Sequence, residues 1–537
     1  MKGKRLLALL AAASLAVSLA ACQPEPAAED VASQASDPDG AAGEAGSSDP
    51  GNNDAQNSAS GGEDMAEIVV AYPSMGPIPN GLQAVEDAIN EISETAINTH
   101  VTLMMIETGS YDQQMNLMLS SNESLDLMIT LPGGSTSLTV MASQNQLTDL
   151  TELLPEYAPA IGEEMGELLK AASIDGRQMA VPTYRGCASG LFIVMRTDVL
   201  EDLGLLEKAQ SMTSFTEYEE ILAAVKSSEK WKNLAGIVPQ SSGGSVLPYA
   251  MSVNYSDNFA DTTFMDNLGN TQYAVCVAED GSTQVGNSFA SEGFKNNYEM
   301  VKRWNDLGYV YADAATTTES GDSLIKSNVG FSEITSTEVV GADAAAAANC
   351  GMEMTSVLIA RPPMTTATLT KFTWAVPATA REPEAAVAFL ELMFTDARVA
   401  NLFAWGIEGT DYEVDGDGIA HYIEGNENPD YHSVSFLNPN CFLLHPWEGY
   451  DADYNEVSMA AMEETALSSY MGFLADTTAV STEISAVTNA IAEYQPQILS
   501  GDGDEAVFDA FLEKLDASGM DKIVALYQEQ LDQWLAQ

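Results

Sequence analysis

From residue 67 onward, apolar positions recur in runs whose period switches between two and about 3.6. EIVVAY (67–72) is a short apolar run rich in β-branched residues, the pattern of a buried strand. PSMGPIPN breaks it with three prolines. GLQAVEDAINEI then sets Leu82, Val85, Ile89 and Ile92 on one helical face, with Asn80 as N-cap. VTLMMIETG predicts a second strand. YDQQMNLMLSS predicts a second helix with Tyr111, Met115 and Met118 on one side. LDLMIT is a third strand, stopped by Pro132-Gly133-Gly134. Strands alternating with helices imply a parallel sheet with crossover helices. Ligands of such sheets bind beyond the carboxyl ends of the strands, here near Tyr72–Pro79, Glu107–Tyr111 and Thr130–Ser137.

The pattern continues downstream. Asp175-Gly176 is a turn between two extended pieces, and GLFIVMR is a further buried strand leading into the helical DVLEDLGL. MTSFTEYEEILAAVKSS carries a capping signal at Thr213, Ser214 or Thr216 before a Phe215, Tyr218, Ile221, Leu222, Val225 face. FTWAVPATAREPEAAVAFLELMFTD (372–396) reads as a strand, a proline and a helix. Pro383 suits the first turn of that helix, and Val387, Leu390 and Phe394 form its buried stripe. No internal repeat is evident.

Before residue 67 the character differs. Lys2, Lys4 and Arg5 precede an uncharged Leu/Ala/Val run from Leu6 to Leu19 and the small residues Ala20 and Ala21. This is the layout of a secretory signal peptide over 1–21, too short to span a membrane, which takes roughly 20 apolar residues. Leu19-Ala20-Ala21-Cys22 resembles the lipobox of bacterial lipoproteins. The resemblance implies that Cys22 receives diacylglycerol and becomes the mature N-terminus, a lipid anchor on the extracytoplasmic face of the cell membrane. The stretch 22–66 opens on Cys22 and is then mostly Ala, Ser, Gly, Asp, Glu, Asn and Pro, with no Lys or Arg and almost no large apolar residue. It is expected to be a disordered acidic linker, because it cannot bury enough surface to offset its ordering entropy.

The body is long enough for more than one core. The formal net charge of the 537 residues is -58, from 21 basic and 79 acidic side chains. Removal of the signal peptide leaves 18 minus 79, or about −61. That excludes nucleic acid as a partner, since phosphates demand Lys and Arg. Cys187, Cys276, Cys350 and Cys441 are widely spaced with no C-x-x-C pair, and four histidines offer no zinc spacing. Export permits disulfides, and both bridges and free thiols remain open.

The stretch from Ser173 to Leu205 resembles extracellular solute-binding proteins of ABC importers, of the carbohydrate-binding kind. Asp175, Gly176, Arg177, Ala180, Pro182, Arg196, Asp198 and Gly204 match the hairpin and helix that mark the first crossing between lobes in that family, with Arg177 replacing the commoner Lys. Residues 372–396 resemble its later return segment. NLFAWGIEGTDYEV (401–414) and the C-terminal FLEKLDASGMDKIVALYQEQLDQWLAQ resemble the LipO-like and alginate-oligosaccharide-binding branch. The resemblance implies an α/β, two-lobed, periplasmic-binding-protein-like fold of type II, each lobe a mainly parallel sheet flanked by helices. The expected division is 67–182 plus about 325–376 for lobe one and 183–324 plus about 377–537 for lobe two. It also implies a monomeric carbohydrate receptor, not an enzyme, that delivers an oligosaccharide to the permease subunits of an importer.

No G-x-S-x-G, H-E-x-x-H, G-x-x-x-x-G-K-[ST] or strand-borne G-x-G-x-x-G occurs. A glycan-processing enzyme with a pair of carboxylates is the alternative reading, and a peptide- or metal-binding lipoprotein a third. No cofactor is expected. DYEVDGDG (411–418) has the look of a calcium loop, but the twelfth position from Asp411 is Tyr422 rather than Glu. Sugars present apolar faces to aromatic rings and hydroxyls to charged and amide groups. On position in the chain, Tyr72, Tyr111, Tyr184, Arg185, Glu333, Trp374, Trp405 and Trp447 are the candidate ligand contacts. Tyr184 and Arg185 follow the first lobe crossing, and Trp374 lies in the returning strand. Glu333 follows a short strand expected to return to lobe one. Trp231, Trp304 and Trp534 lie in helical patterns and read as packing residues, and Asp126 as a strand-end turn partner.

Overall fold

The first sheet has the order 99–107, 66–74, 127–130, 373–375, 181–182 in a computed structural model that describes residues 65–240, 244–426 and 428–536. The signal peptide, Cys22 and all of the linker up to residue 64 lie outside the described residues. Strand Ala66–Ser74 pairs parallel with Thr99–Glu107 and with Leu127–Thr130. Helices Leu82–Ile97 and Thr108–Ser121 are the crossovers between them. Thr373–Ala375 then inserts antiparallel between Leu127–Thr130 and Val181–Pro182. Alternation along the strands divides their side chains between two apolar layers. Ile68, Val70, Tyr72 and Trp374 pack in one layer with Val387, Leu390, Phe394 and Phe403. Ala71, Met128 and Ala375 pack in the other with Tyr111, Met115 and Met118. This is lobe one.

Lobe two is built on a mixed sheet ordered 354–360, 189–196, 330–338, 235–238, and on an antiparallel meander ordered 285–287, 275–278, 263–266, 253–254. Helix Phe215–Ser227 begins at Ser214, whose hydroxyl accepts from the Glu217 N–H, while the Glu217 carboxylate accepts from the Thr213 N–H at 2.7 Å. Its Phe215, Tyr218, Ile221, Leu222 and Val225 are fully buried. The hairpin at Asp175-Gly176 has both residues at positive φ, 51° and 72°, with Ile174 paired to Arg177; this is the primed turn that a two-residue hairpin favours.

The lobe boundaries depart from expectation. Gly330–Glu338 pairs antiparallel with Ser189–Arg196 and so belongs to lobe two, as does Met354–Ala360. Conversely, Pro383–Thr395 and Ala397–Trp405 pack on the lobe-one layer. The chain therefore passes between the sheets after Pro182 and after Ala360, and returns again to the lobe-two core with Tyr470 onward. A strand's hydrophobic run shows that it is a strand; its partner is fixed by non-local pairing, which periodicity does not carry. Cys187, Cys276, Cys350 and Cys441 are all free thiols.

Candidate ligand-binding site

A cavity of about 370 Å³ opens where the chain runs between the two sheets. Arg185 to Cys187 and Ser189 of the first crossing, Pro362, Pro363, Thr365, Thr368 and Lys371 of the second, Pro132 at the end of a lobe-one strand and Glu338 at the end of a lobe-two strand all line it. Lobe two adds Tyr249, Phe264, Asn267 and Thr271. The lining thus combines apolar faces with two cations, one carboxyl, and amide and hydroxyl groups, which suits a polar ligand with apolar patches.

Glu338 is the carboxyl that lines the cavity. Its Oε2 accepts a 2.6 Å hydrogen bond from the Tyr454 hydroxyl. Burial raises its carboxyl above the ordinary range, against the lowering effects of that hydrogen bond and of Arg185. A Cβ at Gly186 would stand 2.7 Å from Glu338 Oε2, so the crossing carries a glycine where the carboxyl approaches the backbone. The Arg185 guanidinium donates to the carbonyls of Thr368 at 3.3 Å and Gly186 at 3.4 Å. Tyr249 is 57% exposed and has φ +50°. A bulky residue in that region is a backbone outlier of the sort that clusters at ligand sites.

The structure separates the candidates named from sequence. Arg185 lines the cavity. Tyr184 is half-buried, its ring edge-on to Phe442 at 4.9 Å and stacked on Phe394 at 5.9 Å, and its N–H donates to the Pro439 carbonyl at 2.8 Å. It packs the crossing and is not among the cavity-lining residues. Tyr72 and Trp374 are completely buried in lobe one, against Phe403 at 4.6 and 5.9 Å. Tyr111 is completely buried, donating to the Ile129 carbonyl at 2.8 Å. These three are core residues rather than ligand contacts. Trp405 and Trp447 join Tyr422 and His432 in an aromatic cluster, with Trp405 to Trp447 at 4.8 Å and Trp405 to His432 at 5.1 Å; none of the four lines the cavity. Burial lowers the His432 imidazole below its ordinary value.

Glu333 is 3% exposed in the lobe-two sheet. It meets Asp322 and Cys350, the ligand atoms of the three all within 4.8 Å of one another. Burial, then the Asp322 carboxylate, raises Glu333 well above the carboxylate range. In the acidic loop after residue 405, Asp411 accepts from the N–H groups of Ile407 and Tyr431 at 2.8 and 3.1 Å. Asp415 accepts from those of Asp417 and Ile419 at 2.9 and 3.0 Å. These carboxylates cap their own loop. Asp126 likewise accepts from the Val69 and Arg381 N–H groups at 3.0 and 2.8 Å, tying strand to loop. Sequence reasoning missed Tyr249, Phe264, Glu338 and Lys371. Lys371 lies two residues before the returning strand and was within reach of the crossing pattern. The positive φ of Tyr249 has no signature in its neighbours.

Two α/β lobes joined by crossings with a cavity beside them define a type II solute-binding fold. The chain matches the family described as bacterial extracellular solute-binding protein over residues 87–408, more than half its length, and belongs to that family. Residues 469–536 match a second family described only as a domain of unknown function. A carbohydrate ABC transporter substrate-binding protein of Streptococcus pneumoniae serotype 4 is 23% identical over 490 residues, 87% of this chain and 91% of that one. The crystal structure of an N-glycan transport solute-binding protein from Streptococcus pneumoniae superposes with TM-score 0.72 at 21% identity, covering 88% of this chain and 99% of that one. A human-milk-oligosaccharide-binding (HMO) solute-binding protein of Bifidobacterium longum infantis superposes with TM-score 0.58 at 15% identity, covering 88% and 99%.

Proposed function

We propose that this protein captures an oligosaccharide in the cavity between its lobes and delivers it to an ABC importer. The carrying observation is the cavity itself, in which rings of Tyr249 and Phe264 share a wall with Arg185, Asn267 and Glu338 at the crossings. Similarity to the carbohydrate transporter relative, and a fold shared with glycan-binding receptors, support the same reading. Ligand touching groups from both lobes favours the closed arrangement and shifts the population toward it, which is the form an importer's permease subunits would receive. No bond is made or broken. Glu338 is the sole carboxylate among the lining residues, whereas glycoside hydrolysis by the usual route needs two. Monomeric action without a cofactor completes the reading.

The experiment is a thermal-shift and calorimetric screen of oligosaccharides against wild type and Tyr249→Ala. At least one oligosaccharide raises the melting temperature of wild type. Tyr249→Ala weakens its binding tenfold or more, about 1.4 kcal/mol, while the unliganded melting temperature holds, because the ring is largely exposed. A peptide or amino-acid ligand with no sugar response would sink the proposal, as would an unchanged affinity in Tyr249→Ala.

The lipid anchor is part of the same proposal. No helix among the described residues is long and apolar enough to cross a membrane, and the lipobox-like Leu19-Ala20-Ala21-Cys22 supplies the alternative attachment. Cys22→Ala moves the protein from the membrane fraction to the medium or periplasm on cell fractionation. A mutant that stays in the membrane as firmly as wild type rules the anchor out.

A further inference from the structure

Acidic side chains outnumber basic ones 79 to 21 in this chain, and the cavity reverses that balance. Its lining holds two cations, Arg185 and Lys371, against one carboxyl, Glu338. Eleven other Lys and Arg side chains among the described residues each hold a carboxylate in an ion pair; Arg185 and Lys371 are not among them. Arg185 donates hydrogen bonds to the backbone carbonyls of Gly186 and Thr368, with Glu338 near enough to act on it electrostatically. The hydrogen bonds occupy two of the five guanidinium donors. Lys371 is exposed beside the Phe372 ring, 5.8 Å from its centroid. Glu338 is engaged by Tyr454, so the lining counts two cations against one carboxyl already held by a hydroxyl.

We propose that the ligand is an anionic carbohydrate, a glycan bearing a sugar carboxylate that is seated between Arg185 and Lys371. The proposal rests on the oligosaccharide reading above and names the charge of its ligand. A guanidinium meets a carboxylate through two parallel N–H···O bonds, and the free donors of Arg185 leave that fork available. The Lys371 ammonium, exposed and also lining the cavity, supplies a second charge. The surrounding surface, strongly negative, repels anions at long range, so the attraction is local to the cleft. The neutral parts of the glycan then pack on Tyr249 and Phe264.

Trigalacturonic acid and its methyl ester, and sialyllactose and its methyl ester, are the probe pairs, since each pair keeps the rings and changes the charge. Calorimetry on the mature protein is expected to show at least one acid bound tenfold or more tightly than its neutral counterpart. The preference shrinks as salt rises from about 20 to 300 mM, because screening shortens to a few ångströms. Lys371→Gln, at an exposed position whose loss does not threaten folding, cuts the preference at least threefold, and Arg185→Lys, which keeps the charge but loses the fork, weakens the acid more than the neutral sugar. Equal binding of acid and neutral forms, or a preference that survives Lys371→Gln and salt, overturns the anionic assignment while leaving the oligosaccharide reading standing. No response to any sugar, charged or neutral, overturns both.

Discussion

Trp374→Ala is expected to cost the unliganded protein about 3–5 kcal/mol of stability, the range for truncating a large aromatic in a packed core, and to leave the affinity of each folded molecule within about threefold of wild type, less than 1 kcal/mol. The ring is 0% exposed. It lies edge-on to Phe403 at 5.9 Å, and its Nε1 donates to the Leu437 carbonyl at 3.0 Å. The substitution removes the ring, leaves a cavity in the layer between the first sheet and helices Pro383–Thr395 and Ala397–Trp405, and strips the Leu437 carbonyl of its donor, an added cost. Urea unfolding followed by circular dichroism gives the stability, and calorimetry corrected for the folded fraction gives the affinity. Unchanged stability with lost binding would place the ring back at the cleft, where its position in the chain alone had put it.

That difference shows what the sequence carries and what it does not. The strands EIVVAY and LDLMIT, the helical faces of Leu82–Ile97 and Phe215–Ser227, the Asp175-Gly176 turn and Pro383 at a helix start were all legible, because period and turn chemistry are local. The burial of Tyr72 and Trp374 was not. Proximity to a strand end or a crossing drew both toward the cleft, but a sheet covered on both faces buries its strand residues whichever way they point. Aromatics free to meet a ligand lie instead on loops, as Tyr249 does. Residues 325–360 were misassigned between lobes for a related reason. The run GFSEIT is the same whether it pairs with Ser189–Arg196 or with the first sheet, and only the fold chooses. Arg185 lines the cavity and directly follows a crossing, a position the sequence pattern marks, whereas Glu338 lies at the far end of a strand that the pattern alone assigns to the other lobe.

Removal of residues 469–536 is expected to abolish folding of lobe two, not to trim a separate module. Val487, Ile491, Ile498, Phe508, Phe511, Leu515, Ile523 and Leu531 are buried in the same core as Leu191, Ile193 and Phe215. Phe511 meets Phe289 at 4.8 Å, and Phe508 stacks on Tyr298 at 4.7 Å. The hydroxyls of Tyr527 and Tyr273 share a 2.7 Å hydrogen bond, and the side-chain Oε1 of Gln528 accepts from the Val285 N–H at 2.8 Å. Burying one such apolar side chain is worth about 1.5–3 kcal/mol; these eight alone match or exceed the roughly 5–15 kcal/mol by which whole domains are stable. The meander of lobe two would be left with its apolar face in water. A protein ending at residue 468 should therefore recover as aggregate, or as a soluble species that binds a hydrophobic dye and lacks near-ultraviolet dichroism. The segment 469–536 made alone should be without cooperative unfolding, since its buried face has nothing to pack on. A truncated protein that unfolds cooperatively and keeps its ligand affinity would show that the C-terminal helices are an appended domain with a role of their own, and the shared core would then have to be reassigned.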